Sequence, residues 1–165
     1  MPTLDRVRIR PLDIAVAAAS LTLIALALLH FGGGSSPAPA VLANPTLTPG
    51  SLNPDVTQAT IRSTICVRGW TATIRPPTSY TNALKLEQMP QYGESGPPSA
   101  YQEDHLISLE LGGNPTDARN LWPEPYPRAA AVDQVENELN ARVCSGELTL
   151  TEAQHEESAL KHDHG

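Results

Sequence analysis

Two neighbouring segments decide the fold: YQEDHLISLELGG at residues 101–113 and RNLWPE at residues 119–124. Residues 100–111 have the composition of a β-strand, which a Gly-Gly-Asn-Pro run then ends, because glycine and proline interrupt regular structure. Residues 120–122 predict a short second strand. The segment that follows carries apolar residues at helical spacing: Val132, Val135, Leu139 and Val143. The predicted order is therefore strand, loop, short strand and helix, which is an α+β arrangement.

The first of these segments also contains an adjacent acid and imidazole, Asp104 and His105. A carboxylate binds a hard divalent cation, and an imidazole can remove a proton from water near neutral pH. A bound cation would stabilise negative charge on a phosphoryl oxygen. The two glycines, Gly112 and Gly113, allow the intervening loop to turn tightly. Asn120 can hold this loop, since its amide both donates and accepts hydrogen bonds.

These residues resemble the HNH endonuclease motif of the ββα-metal superfamily, and in particular small exported bacterial HNH-like proteins. The stretch Cys66-Val-Arg-Gly-Trp70 with Arg75-Pro-Pro, and the segment around Val143-Cys144-Ser-Gly, share the likeness, which covers about residues 54–155. The resemblance implies a small α+β domain with a ββα-metal core and flanking helices. It implies that His105 is the general base, Asp104 a metal ligand and Asn120 the residue that fixes the loop.

The third residue of an HNH motif is usually a histidine on the helix, and this helix has none. Asp133 is our substitute ligand, with Glu136 the next choice. Two carboxylates with water ligands suit Mg²⁺ or Mn²⁺ better than Zn²⁺. Arg119 or Arg128 could contact a phosphate, and we select Arg119 as the substrate-binding residue.

The resemblance implies a metal-dependent endonuclease that hydrolyses phosphodiester bonds of nucleic acid, with DNA favoured over RNA, outside the cytoplasm. The alternative is a non-catalytic exported binding or structural module with a degenerate HNH site. The formal net charge of −7 argues against a protein that coats nucleic acid by charge alone. The 165 residues exclude a large multidomain enzyme, and GxGxxG, GxxxxGK and GxSxG motifs are absent.

The N-terminal part has the composition of an export segment. Arginines 6, 8 and 10 precede Ile14–Phe31, a run of 18 residues without a formal charge. Residues 1–31 are therefore predicted to be a signal peptide or a membrane anchor. Residues 32–53 are predicted to form a flexible linker, and residues 54–160 to form the HNH-like domain. A disordered tail is expected at residues 161–165. Either reading of residues 1–31 places the domain outside the cytoplasm, secreted or anchored to the membrane.

The two cysteines, Cys66 and Cys144, are far apart in an exported chain, which favours one disulfide over two reduced core thiols. The spacing of apolar residues within 66–75 predicts a further strand. A helix is expected from about residue 82 to 89, and a last helix from Thr151, with Gln154 completing a capping box.

Overall fold

The protein is described from a computed structural model, and the structure covers residues 42–163. Within these residues an antiparallel pair of strands is combined with helices, so the expected α+β class is confirmed. The strands are β1 (Tyr101–His105) and β2 (Leu121–Pro125). The α-helices are α1 (Trp70–Ile74), α2 (Thr78–Gln88), α3 (Arg128–Ser145) and α4 (Leu150–Asp163). Short 3₁₀ turns occupy Ile61–Ser63, Pro98–Ala100, Leu109–Leu111 and Ala118–Asn120.

The two strands pair so that His105 lies opposite Leu121 and Asp104 opposite Trp122. The first strand is shorter than the predicted 100–111, because the chain leaves the sheet after His105. The N–H and the carbonyl of Ile107 bond to the Asn120 side chain and not to a neighbouring strand, and the Ser108 N–H donates to Glu157. The second strand is longer than predicted and continues through two prolines to Pro125. A two-stranded sheet gives proline an edge position, where it need not donate to the ladder.

Helix α3 begins directly after Pro127 and ends at Ser145. The next residue, Gly146, has a φ of 86° and provides the left-handed turn that closes many helices. The helix starts at Arg128, four residues before Val132, the first residue of the predicted apolar face. That face packs inward as expected: Val132, Leu139 and Val143 are buried in the core. Glu136 is buried on the same face. The helix therefore brings a carboxylate to the core together with its apolar residues.

The residue that caps helix α4 lies two positions before the predicted one. Thr149, not Thr151, forms the capping box, because the Glu152 carboxylate accepts from the Thr149 N–H at 2.8 Å and Thr149 Oγ1 accepts from the Glu152 N–H at 3.2 Å. Gln154 instead donates to the Leu111 carbonyl at 2.9 Å. The helix continues to Asp163, so the expectation of a disordered tail is wrong for residues 161–163. Residues 164 and 165 lie outside the described part.

The predicted strand at 66–75 is wrong, since helix α1 occupies Trp70–Ile74. Gly69 adopts the left-handed conformation with φ 84° at the start of this helix, which turns the chain out of an extended path. Helix α2 is present where a helix was expected near 82–89, but it starts at Thr78 directly after Pro77. Pro77 precedes the helix in an extended conformation, with φ −66° and ψ 147°, and provides no side-chain cap.

Residues 42–53 were expected to belong to a flexible linker, and the structure packs them onto the domain. The Ala43 N–H donates to the Lys161 carbonyl at 3.0 Å, and Ala43 is buried. Thr48 is fully buried with its hydroxyl 2.6 Å from the Tyr92 hydroxyl. Leu52 pairs with Gly113 in an isolated bridge. The domain therefore begins before residue 54, because these backbone groups find partners inside it.

The predicted signal peptide or anchor at 1–31 and the linker residues 32–41 lie outside the described residues. Among residues 42–163, every helix is too short or too polar to cross a membrane.

The predicted disulfide is present. Cys66 and Cys144 are bonded, with their Cα atoms 5.6 Å apart. The bond joins the segment before α1 to the last turn of α3. It borders the main apolar cluster, which contains Ile65, Ile107, Leu139 and Leu150. The segment before α1 is thus held against α3 by a covalent bond as well as by packing.

Candidate functional site

A cavity of about 460 Å³ opens where the end of β1 meets α3 and the start of α2. Strand β1 supplies Asp104 and His105 to its wall. Helix α3 supplies Asp133, Glu136 and Asn137. The remaining lining comes from the α1–α2 region and from the loop after β1: Arg75, Pro76, Thr78, Thr81, Ser108, Leu109 and Glu110, with Gln102 and Glu103 of β1. The cavity therefore collects the acid and imidazole singled out in the sequence.

Three carboxylates in this cavity can act as ligands to one ion. One oxygen each of Asp104, Asp133 and Glu136 lies within 4.8 Å of the other two. Asp133 and Glu136 are three residues apart on α3, so they project from the same side of the helix toward the end of β1. The structure thus brings together both metal ligands predicted from the sequence, Asp104 and Asp133, and adds Glu136. Carboxylate oxygens are the ligands that Mg²⁺ and Mn²⁺ prefer.

A buried lysine lies behind these carboxylates. The Lys161 side chain of α4 is 0% exposed. Its Nζ donates to Asp104 Oδ2 at 2.8 Å, to Glu136 Oε1 at 2.6 Å and to the His105 carbonyl at 2.5 Å. Glu157 Oε1 is also 3.3 Å from it. The ammonium therefore ties together β1, α3 and α4 at the base of the cavity.

Glu157 is fully buried and bonds to the loop after β1. Both of its carboxylate oxygens lie 3.0 Å from the Ser108 N–H, which donates to them. This contact fixes the backbone three residues beyond His105. Glu157 thus connects the ammonium of Lys161 to the loop that carries the imidazole.

Burial and the excess of acids shift the pKa values in this cluster. Burial raises the pKa of Glu136 to about 9, against the lowering effect of Lys161. Burial and the nearby Asp104 raise the pKa of Glu124 to about 8. Burial alone would raise the pKa of Asp104, but Lys161 and a hydrogen bond with Glu124 lower it. Asp104 is therefore the ionised member of the group.

The opposite effect acts on Lys161. Burial alone would lower the pKa of its ammonium, but Asp104, Glu157 and Glu136 together hold it well above its usual value. The lysine is therefore charged throughout the neutral range. A divalent cation near Asp104 and Glu136 would favour the ionised form of Glu136 in the same way.

His105 is suited to accept a proton. Its Nε2 is 3.1 Å from the Pro115 carbonyl, which can only accept, so Nε2 carries the hydrogen in this contact. Nδ1 then holds the lone pair in the neutral ring. Burial lowers the pKa of His105 below its usual value, so the ring is unprotonated at neutral pH. A neutral imidazole with a fixed tautomer is what a general base requires.

Asn120 holds the loop that follows β1, as the sequence predicted. It is fully buried, and its Nδ2 donates to the carbonyls of Ile107 and Asn114 at 3.0 and 3.1 Å. Gly113 makes this close approach possible. A Cβ on Gly113 would lie 1.7 Å from the Ile107 carbonyl oxygen and 2.7 Å from Asn120 Nδ2. The second glycine of the motif is therefore required by packing at this position.

The two arginines weighed for phosphate binding lie elsewhere. Arg119 is 68% exposed, forms an ion pair with Asp117 at 2.5 Å, and is not among the residues that line the cavity. Arg128 is partly buried, is paired with Glu124, and lies over the ring of Trp122. The arginine that does line the cavity is Arg75, an exposed residue between α1 and α2. Sequence reasoning did not give it a role.

Glu157 and Lys161 were also missed, although the sequence carried a pattern that could have revealed them. Leu150, Ala153, Glu157 and Lys161 are spaced as one face of a helix, and all four are buried. Glu157 and Lys161 are also an i, i+4 pair in the favourable order. A charged pair on an otherwise apolar helical face indicates ions that are buried and neutralised by partners from elsewhere in the chain.

Comparison of the chain with protein-family models, with curated proteins and with solved structures gives no match.

Proposed function

We propose that this protein is a metal-dependent endonuclease of the HNH type, which hydrolyses phosphodiester bonds of nucleic acid. One observation supports this most: a neutral, oriented imidazole and three carboxylates within 4.8 Å of one another line the same cavity. The order β1, β2, α3 is also that of a ββα-metal core. In this arrangement Asp104 and His105 are the last two residues of the first strand, and Asp133 projects from the helix.

The residues present fit a divalent cation. Asp104, Asp133 and Glu136 would hold it, and the donor set consists of carboxylate oxygens alone, which suits Mg²⁺ or Mn²⁺. When bound, such an ion stabilises the negative charge that develops on the phosphoryl and leaving oxygens.

The chain's own residues supply the remaining chemistry. His105 Nδ1 takes the proton from the attacking water, while the Pro115 carbonyl keeps the ring in its orientation. Arg75 stands at the cavity wall, where its guanidinium can bind the phosphate of the substrate through two parallel hydrogen bonds. Asn120 and Glu157 fix the loop on which His105 depends.

We place this activity outside the cytoplasm, in a protein that is secreted or anchored through residues 1–31. The Cys66–Cys144 disulfide supports this location, because such bonds persist in oxidising compartments. Nucleic acid, with DNA favoured over RNA, is the proposed substrate. The net charge of −7 means that it must be held at the cavity rather than by the whole surface.

The test is a cleavage assay with the 165-residue chain on plasmid, single-stranded DNA and RNA. Each substrate is incubated with EDTA, Mg²⁺ or Mn²⁺, beside His105→Ala and Asp133→Asn. We expect cleavage that needs the metal and falls at least 100-fold in both variants. His155→Ala is the matched control, because His155 is exposed on α4 and lies outside this cavity. A folded chain that cuts none of these substrates with either metal excludes the proposed activity.

A second candidate is a non-catalytic exported binding or structural module. It is favoured by one specific observation: the Lys161 ammonium already neutralises part of the acidic cluster and contacts two of the three candidate ligands. In that case the carboxylates serve the fold through Lys161 alone. Mn²⁺ binding that is lost in Asp133→Asn would argue for the enzyme, whereas an absence of Mn²⁺ binding would favour the module.

A further inference from the structure

Four oxygen atoms surround the Lys161 ammonium, and they come from three separate segments. Asp104, Glu136 and the His105 carbonyl take its hydrogen bonds, and Glu157 lies at ion-pair distance. An ammonium has three hydrogens, so the first three partners use all of its donors. The group is therefore bound as a cation inside a cage of oxygens, a setting that resembles the coordination of a metal ion more than a surface ion pair.

The acids of the cluster outnumber its buried cation. Asp104, Glu136 and Glu157 surround one lysine, and Asp133 stands beside them at the cavity. The ammonium pairs with Asp104, Glu136 and Glu157 at the base of the cluster, while Asp133, on the side facing the cavity, is more exposed than Asp104 and Glu136. The Lys161 ammonium occupies the base of the cluster, and the side toward the solvent, beside Asp133, has room for a second cation.

We propose that Lys161 is a built-in substitute for a divalent cation, a positioning residue that fills one of two cation positions in the cluster and leaves one for an exchangeable ion. Lys161 holds one oxygen each of Asp104 and Glu136 at the base of the cavity. Both side chains are thereby kept in place beside Asp133. That Asp104 and Glu136 are kept in place for a catalytic ion rests on the proposed function.

A Lys161→Met variant tests this directly. Methionine keeps most of the apolar stem but is one heavy atom shorter, so it vacates the position of Nζ. We expect the 165-residue Lys161→Met chain to bind one Mn²⁺ more than the wild type. The count comes from a titration in which the electron paramagnetic resonance signal of free Mn²⁺ is followed, with cleavage activity playing no part. In EDTA the variant should melt at a lower temperature than the wild type, and Mn²⁺ should raise its melting temperature by the larger amount.

Two further variants make the count specific. Lys85→Met is the matched control, because Lys85 is also buried but its Nζ donates to the Tyr101 carbonyl, away from the carboxylate cluster. It should bind as many Mn²⁺ ions as the wild type. The double variant Lys161→Met with Glu157→Gln removes an acid together with the ammonium, and should lose the additional ion.

Equal Mn²⁺ counts in Lys161→Met and the wild type overturn the inference. Where Lys161→Met is unfolded in EDTA, far-ultraviolet circular dichroism is recorded as Mn²⁺ is added. Recovery of the wild-type spectrum supports the inference, and an unfolded chain at saturating Mn²⁺ overturns it, because the ion then does not replace the ammonium. The proposed function is judged separately by the wild type: a wild type that binds no Mn²⁺ removes the catalytic ion, while an ion gained by Lys161→Met still supports the role of Lys161.

Discussion

Asn120 and Ile107 form a reciprocal pair of hydrogen bonds across 13 residues. Asn120 Oδ1 accepts from the Ile107 N–H at 3.0 Å, and Asn120 Nδ2 donates to the Ile107 carbonyl at 3.0 Å. The asparagine side chain thus bonds to Ile107 as a neighbouring strand would. It takes over where β1 ends, so the chain can turn immediately after His105 while its buried backbone groups remain bonded.

Asn120→Ala should therefore destabilise the domain by about 3 kcal/mol, because it leaves both backbone groups of Ile107 buried without a partner. Urea unfolding followed by circular dichroism measures the change. Asn82→Ala, at an exposed position on α2, is the control and should stay within about 0.5 kcal/mol of the wild type. Equal losses in the two variants would show that Asn120 does not hold the loop.

Removing the disulfide should cost about 4 kcal/mol of stability in the chain-entropy model, since Cys66 and Cys144 close a loop across 78 residues. We expect the urea midpoint of the oxidised chain to fall by the corresponding amount after reduction. The double variant Cys66→Ala with Cys144→Ala should unfold at the same midpoint with and without reductant. Two thiols that react with a labelling reagent in the native, unreduced chain would contradict the bond.

Glu103 should make the domain less stable as the pH rises. Both of its carboxylate oxygens are buried without a hydrogen-bond partner among the described residues, and burial raises its pKa to about 8. The folded chain therefore keeps a proton that the unfolded chain loses near pH 4.5, so stability falls between about pH 4.5 and 8. The loss is about 1.4 kcal/mol for each unit by which the folded pKa exceeds the unfolded one.

Glu103→Gln should remove this part of the pH dependence and make the domain more stable than the wild type at pH 8. Urea titrations at pH 5, 6.5 and 8 in EDTA would measure both effects. Glu87→Gln, at an exposed position on α2, should leave the pH profile unchanged. A Glu103→Gln profile parallel to that of the wild type would show that Glu103 is ionised in the folded chain.

Arg75→Ala should lower kcat/KM for cleavage of DNA by about 100-fold, because Arg75 is the one arginine or lysine among the described residues lining the cavity. Arg119→Ala should change it less than threefold, since Arg119 pairs with Asp117 and lies outside the cavity wall. Melting curves of both variants should match the wild type. A larger loss in Arg119→Ala than in Arg75→Ala would restore the substrate-binding role that the sequence gave to Arg119.

The sequence was sufficient to identify those residues of the candidate site that come from one continuous segment. Asp104, His105 and Asn120 lie within 17 positions of one another, and Asp133 follows on the next helix. Strand and helix periodicity is enough to place such residues together. The same local reasoning predicted that Asn120 fixes the loop.

The sequence did not predict Lys161, because its burial depends on acids 57 and 25 residues away. A lysine near the end of a helix is usually solvated, and only the three-dimensional fold supplies the carboxylates that neutralise it. The start of α4 was misplaced for a related reason. Thr149 with Glu152 and Thr151 with Gln154 both fit a capping box, and the contact of Gln154 with the distant Leu111 carbonyl distinguishes them.

The position of Lys161 in the last turns of α4 also sets an order of events in time. A chain that leaves the ribosome or a translocation pore from its N-terminal end presents Asp104 and Glu136 before the cation that neutralises them. Until Lys161 emerges, these acids remain hydrated and the base of the cavity is not assembled. The cluster at the base of the cavity is therefore completed late, after α4 has been released.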